Sequence, residues 1–370
     1  MYRLFALFCL LIVAPSLASQ TCSGSLGENI FTEGDFGTGA ANIPATDPGI
    51  APGFVYQRNP PPYDGFYTIT NDMVRWNNPW PSWRSFSDNS DDPQGYMMVV
   101  NAAFEPGLFY EQEVDGLCDG SEYQFSADIT NIYFRGENGI LPNVSFLIDG
   151  EVFFDTGNIA EDEEWHTYAF SFATAPGQTT VTLALRNNAP GGIGNDLAID
   201  NIAFRACGPL ARIAGGGRVR ICEDGAPELL TAEITGEQYA NPALQWQRSA
   251  DGVTGWADIP GANASSYLHT ELGSGFYHYR YLLANGSTNL TNAKCRVVSD
   301  PKTVEVVPKR YVIQDTICAG GDYLQGEVVY TTTGIYVDTL LSSLGCDSIV
   351  TLRLEVVEDP GLEPDFLLID

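Results

Sequence analysis

The chain runs to 370 residues, enough for two or three domains. Its 47 acidic residues against 18 basic ones give a formal net charge of -29 and an isoelectric point near 4.2. A surface of that sign repels phosphate backbones and anionic lipid, which argues against nucleic acid as a partner and leaves the carboxylates as solubilising groups or as ligands for divalent cations.

Residues 1–20 read as a secretory signal peptide. Arg3 precedes the apolar run Leu4 to Val13, and the small residues Ser16, Ala18 and Ser19 lead to a cleavage point near Ala18 to Gln20. The run is too short to span a bilayer and Pro15 follows it, and no later segment reaches spanning length. The expectation is a secreted or cell-surface protein with no transmembrane segment. Thr21 ahead of Cys22 argues against a lipidated cysteine. Losing Cys9 with the leader leaves Cys22, Cys118, Cys207, Cys222, Cys295, Cys318 and Cys346, none in CxxC spacing, so a zinc cluster has no support. By position they fall into groups of three, two and two. Bridges within each group are the economical expectation, with one cysteine of the first group odd.

Residues 21–209 hold many short segments rich in β-branched and aromatic residues, bounded by Gly, Pro, Asn and Asp: 65–70, 96–101, 123–129, 144–148, 166–172 and 180–186. Tyr168, Phe170 and Phe172 alternate with Thr167, Ala169 and Ser171, the period-two pattern of a strand with one buried face. No window of similar length has a helical period, so an all-β, two-sheet sandwich of about eight strands follows. Its closing strand is GNDLAIDNIAFRACGP, Gly194 to Pro209, with Leu197, Ile199, Ile202 and Phe204 as the apolar positions. The slip between Ile199 and Ile202 predicts a bulge at Asp200 and Asn201, where a buried carboxylate needs backbone donors or a cation. The Gly-rich stretch Pro190 to Gly194 lacks the Walker lysine and a following helix, and reads as a turn between strands.

The motifs GDF at Gly34 to Phe36, LCDGSEYQFSADITN at Leu117 to Asn131, Trp165 to Phe172 and TLALRNNAPGGIGNDLAIDNIAF at Thr182 to Phe204 resemble a jelly-roll domain of the galactose-binding or carbohydrate-binding-module type. More narrowly, the set is similar to N-terminal domains of secreted, gliding-motility-associated surface proteins of the Bacteroidota. The resemblance implies that the strand near Tyr123 lies antiparallel to the closing strand, which pairs Cys118 with Cys207 and leaves Cys22 over, with Cys22 to Cys207 as the alternative. It also implies a structural calcium between the first and last strands, held by Asp35, Asp196 and Asp200 with backbone oxygens. As turn and loop carboxylates, the same residues are equally served by backbone amides.

The span Tyr56 to Tyr96 carries Tyr56, Tyr63, Trp76, Trp80 and Trp83 among prolines and amides. Loop-borne Trp and Tyr rings stack on the apolar faces of sugars while polar neighbours take the hydroxyls, so these five residues are the candidate glycan site. Large aromatics also bury readily, and a core or loop-anchoring role is the competing reading.

A second module spans 210–308. Cys222, Trp246 and Cys295 and the sequence LQWQRSADGVTGWADIPGANASSYL resemble bacterial immunoglobulin-like modules, in which a tryptophan packs near an inter-sheet disulfide, here Cys222 to Cys295. Residues 309–358 look like a short tandem repeat of the same surface proteins, with the GCDSI element at Gly345 to Ile349 and a staple from Cys318 to Cys346. Residues 359–370 resemble a linker or a truncated end, and nothing in the sequence matches a type IX sorting domain.

The three histidines, His166, His269 and His278, show no HExxH spacing, and there is no GxSxG elbow. A pair such as Asp162 and Glu164 is the kind of coincidence that 47 acidic residues make abundant. The expectation is a non-catalytic, exported modular β-protein whose jelly roll binds a glycan or cell-surface component. The alternatives are a purely structural stalk that binds protein, and an accessory part of a secreted polysaccharide-active enzyme.

Overall fold

The computed structural model describes residues 21–31, 36–44, 46–90, 92–236 and 239–358. The leader at 1–20, the carboxylate of Asp35 and the terminal segment 359–370 lie outside the described residues. The fold is all β, and among the described residues the only helical segments are three short 3-10 turns. No helix of the described residues is long and apolar enough to cross a membrane.

The chain divides into two compact units, one running to Pro209 and including Thr291–Val297, the other comprising Leu210–Leu290 and the residues from Val298 on. The first unit holds β1 (Ser25–Leu26), β2 (Val55–Tyr56), β3 (Phe66–Thr70), β4 (Met97–Asn101), β5 (Gly107–Val114), β6 (Glu122–Asn131), β7 (Asn143–Ile148), β8 (Glu151–Asn158), β9 (His166–Ala173), β10 (Val181–Asn187) and β11 (Leu197–Gly208). They form a larger sheet in the order β2-β3-β4-β11-β6-β9, with β1 on β11, and a four-stranded sheet in the order β5-β10-β7-β8.

Alternation decides which face of each strand is buried. On β6 and β11, Tyr123, Phe125, Ile129 and Phe204 are fully buried, and on β7, Val144 and Phe146 meet them from the smaller sheet. The rings of Phe125 and Phe146 lie 5.1 Å apart in an edge contact, and Phe204 stacks on Tyr123 at 5.1 Å. Each such ring contributes about 1.5–3 kcal/mol through burial, so this layer is the main source of cohesion between the two sheets. The predicted bulge is present: the β11–β6 register shifts between Asp200 and Ala203, and Asn201 takes a φ of 49°.

The second unit contains β12 (Leu210–Ile213), β13 (Arg218–Cys222), β14 (Glu228–Thr235), β15 (Pro242–Ser249), β16 (Ala257–Asp258), β17 (Ser266–His269) and β18 (Gly275–Asn285). After β19 (Arg296–Val298) it continues with β20 (Lys302–Val307), β21 (Arg310–Cys318), β22 (Tyr323–Gln325), β23 (Val328–Tyr330), β24 (Gly334–Leu341) and β25 (Asp347–Val357). Trp246 is fully buried there, against Tyr281 at 5.4 Å and Tyr267 at 6.0 Å, and its indole N–H donates to the Ala264 carbonyl. It packs on these two tyrosine rings.

None of the three expected cystines forms. The bridges are Cys22–Cys207, Cys118–Cys295 and Cys222–Cys346, with Cys318 free and exposed. Pairing of β1 with β11 sets Leu26 opposite Cys207, which brings Cys22 to a Cα separation of 5.7 Å and excludes Cys118–Cys207. Cys222–Cys295 fails because Thr291–Val297 belongs to the first unit. Lys294 donates to Asp115 and Asn292 to the Gly116 carbonyl, which delivers Cys295 to Cys118. Cys318–Cys346 fails on strand direction. β21 runs parallel to β25, with Arg310 opposite Ile349 and Cys318 opposite Val357. Cys346 therefore lies at the other end of the sheet, on the order of 30 Å away, far beyond the reach of a disulfide. Three cystines fit an extracellular protein.

Candidate functional site

The five predicted ligand-binding aromatics divide into two sets. Trp76 and Trp83 are core residues, 6% and 3% exposed, packed with Met73, Met97, Val99, Ile132 and Tyr133. Their indole N–H groups are spent inside the fold, that of Trp76 on the Thr70 hydroxyl at 3.1 Å and that of Trp83 on the Asp196 carboxylate at 3.2 Å. Tyr56 is half-buried against Tyr67, and its hydroxyl donates to the Pro44 carbonyl at 2.7 Å. Only Tyr63 and Trp80 face solvent, 61% and 37% exposed, with ring centroids 6.3 Å apart. The Trp80 indole donates to the Pro62 carbonyl, which ties the pair to one loop.

Of the predicted calcium ligands, Asp35 lies outside the described residues, and Asp196 and Asp200 are both engaged by N–H donors. Asp196 accepts from the Ala102 amide at 2.9 Å and from Trp83. Asp200 accepts from the Asn89 and Asn201 amides, each at 2.7 Å. Both carboxylates thus face N–H donors from different loops, whereas calcium needs six to eight oxygens around one centre. Burial pushes the Asp196 carboxyl up to about 8, and burial together with nearby Asp88 and Asp128 pushes Asp200 up to about 7. Among the described residues no group of three His, Cys, Asp or Glu side chains is placed to hold a metal ion. As placed, Asp196 and Asp200 offer their oxygens to these N–H donors and not to a common centre.

A groove of about 500 Å³, which the sequence did not disclose, lies on the smaller sheet. It is lined by Asn143 and Ser145 of β7, Val152, Asp155 and Asn158 of β8, and Arg186 of β10. Asn188, Pro190 and Ile140 complete it from the adjoining loops. On β7 and β10 these residues occupy the face opposite buried Val144, Phe146, Leu183 and Leu185. The contribution of β8 depends on irregularity. Val152, Asp155 and Asn158 are three apart, a spacing that alternates faces in a regular strand. The β7–β8 register shifts twice, between Asn143 and Ser145 and between Phe146 and Leu147, each time with an extra residue on β8. Two bulges thereby turn all three side chains to one side, and Gly157 supplies the positive φ of 66° that the first bulge uses.

Hydrogen bonds fix the floor of the groove. The two N–H groups of the Asn188 amide are shared among Ser145 at 2.6 Å, Asn143 at 3.0 Å and Asp155 at 3.2 Å, and its carbonyl accepts from Arg186 Nε at 2.8 Å. Ser145 donates to Asp155 at 3.1 Å, and the second Asp155 oxygen accepts the Gly157 amide. Side chains held in this way offer oriented donors and acceptors to a polar ligand without further loss of rotamer freedom.

The first unit thus defines a class: a two-sheet β-sandwich that bears a preorganised polar groove on one outer face. The sequence profile of a family described as a domain of unknown function, DUF8696, matches residues 213–308, inside the region after the sandwich. No curated relative matches the chain. Among solved structures, the C-terminal domain of EclA, titled a sugar-binding protein, is similar at 22% identity, covering 28% of this chain and 80% of that one, with a TM-score of 0.23. A structure titled for CBM4 structure and function is similar at 16% identity, covering 39% and 72%, with a TM-score of 0.20. The adhesin domain of Epf from Streptococcus pyogenes is similar at 10% identity, covering 65% and 88%, with a TM-score of 0.24. At such scores these likenesses assign nothing to the present chain.

Proposed function

We propose that the first unit is a non-catalytic carbohydrate-binding module of an exported surface protein, and that the groove on the smaller sheet is its binding site. The observation that carries this reading is the hydrogen-bonded set Arg186–Asn188–Asn143–Ser145–Asp155 beside the apolar walls of Ile140, Val152 and Pro190. Sugars present hydroxyls around an apolar ring body, and a shallow cleft of amides, one hydroxyl and two charged groups over aliphatic walls complements that pattern. Three disulfides suit an extracellular setting. A glycan array probed with the full chain tests the reading: wild-type protein retains one or more glycans, and Asn188→Ala, folded by circular dichroism, loses them. Retention by Asn188→Ala at wild-type affinity moves the site elsewhere.

A second reading, adhesion to protein, is favoured by the exposed pair Tyr63 and Trp80, since paired aromatic rings on a rigid loop are common anchors at protein contacts. If Trp80→Ala abolishes attachment to a surface while Asn188→Ala does not, the pair and not the groove mediates adhesion.

A further inference from the structure

Arg186 is the one cation in the groove lining, and Asp155 is its one carboxylate. A guanidinium has five N–H donors in a planar fork. Arg186 spends Nε on Asn188, and among the described residues it has no carboxylate at ion-pair distance, so its terminal nitrogens remain available at the groove wall. The one carboxylate in the lining is already engaged: Asp155 accepts from Ser145, Asn188 and the Gly157 amide. The Asn158 side chain also has no hydrogen-bond partner among the described residues and lines the same space. Unsatisfied donors thus outnumber unsatisfied acceptors. The lining contains no aromatic ring on which a neutral sugar would stack.

We infer that the groove selects an acidic sugar, with the anionic substituent, a uronate carboxylate or a sugar sulfate, received by the Arg186 fork and ring hydroxyls received by Asn158 and Asn143. This rests on the glycan reading above. The net charge of -29 does not oppose it, because at physiological salt charges more than about 8 Å away are largely screened, whereas a contact at hydrogen-bond distance is not. Guanidinium and anion pair through two parallel N–H···O bonds, a geometry that a neutral hydroxymethyl group cannot reproduce.

The test is calorimetric titration of the full chain with oligogalacturonate, alginate and carrageenan oligosaccharides, each alongside its carboxyl-reduced or desulfated counterpart. At least one acidic oligosaccharide binds about tenfold or more tightly than its neutral twin, and the preference weakens as salt rises. Whether the uronates or the carrageenan give the larger ratio distinguishes a carboxylate from a sulfate ligand. Arg186→Gln abolishes the ratio at an unchanged thermal midpoint, and Arg186→Lys restores part of it. Equal affinity for acidic and neutral twins, or a ratio that survives Arg186→Gln, overturns the acidic preference and leaves the glycan reading standing. No binding to any oligosaccharide in either form overturns both.

Discussion

Trp83 donates its indole N–H to the buried carboxylate of Asp196, 113 residues further along the chain. That carboxylate is raised to about 8 because burial penalises its charge more than Ala102 and Trp83 stabilise it. A folded-state value above the unfolded one means that the folded chain holds the proton more tightly. The contribution to stability is complete below the unfolded value, near 4, and is lost as pH rises toward 8, by up to about 1.4 kcal/mol per pH unit for one group. Asp200, raised to about 7, acts in the same direction over a narrower window. The first unit is therefore expected to unfold at lower temperature at pH 8 than at pH 5. In Asp196→Asn the midpoint depends less steeply on pH. Scanning calorimetry at unit pH steps checks this, and a slope unchanged by the substitution counts against an ionising Asp196.

Truncating two tryptophans three residues apart should give very different results. Trp83 sits in the cluster with Met73, Met97 and Tyr133, and Trp83→Ala is expected to cost about 3–5 kcal/mol by leaving a cavity and freeing Asp196 of a donor. Trp80 touches Tyr63 at the surface, and Trp80→Ala should cost about 1 kcal/mol or less. Urea denaturation of the two variants measures the contrast, and comparable losses would place Trp80 in the core as well.

These two tryptophans also mark how far the sequence could be read. The alternation from His166 to Phe172 and the slip at Asp200 were legible because both are local, set by side chains that point up or down from one strand. Whether Trp83 or Trp80 faces solvent depends on Asp196, a partner far away in sequence, and local composition carries no trace of it. The groove was hidden for a related reason. Val152, Asp155 and Asn158 look like neither a strand face nor a helix face, and only the register against β7 reveals the bulges that align them. Grouping cysteines by sequence neighbourhood failed where Thr291–Val297 joined the first unit and where β21 and β25 ran parallel.

Oxidised, folded protein should contain one titratable thiol in the chain after residue 20. Alkylation without reductant is expected to label Cys318 alone, and digestion under non-reducing conditions should release peptides joined as Cys22–Cys207, Cys118–Cys295 and Cys222–Cys346. Closing loops of this length removes about 5 kcal/mol of chain entropy from the unfolded state on the loop-entropy estimate. Cys22→Ser should therefore lower the midpoint of the first unit by several degrees. Recovery of a Cys118–Cys207 peptide instead would refute the β1–β11 register.

His269 gives the second unit a pH response of the opposite sign. Its ring is fully buried, Nδ1 meets the Tyr279 hydroxyl at 2.7 Å, and Nε2 has no hydrogen-bond partner among the described residues. Burial holds its pKa below the usual histidine value, against the pull of Glu271 and Glu228. The unfolded chain therefore takes up the proton first, so the neutral ring's contribution is fully present above the unfolded value of about 6.5 and is lost as pH falls below it. Acidification from pH 7 to pH 5 should destabilise the second unit while it stabilises the first, which shifts their unfolding transitions in opposite directions in a calorimetric scan. His269→Gln keeps a polar side chain that cannot titrate, so in that variant the midpoint of the second unit should become flatter between pH 7 and pH 5. The expectation fails if wild type and His269→Gln lose stability equally on acidification, since another group would then bind the proton.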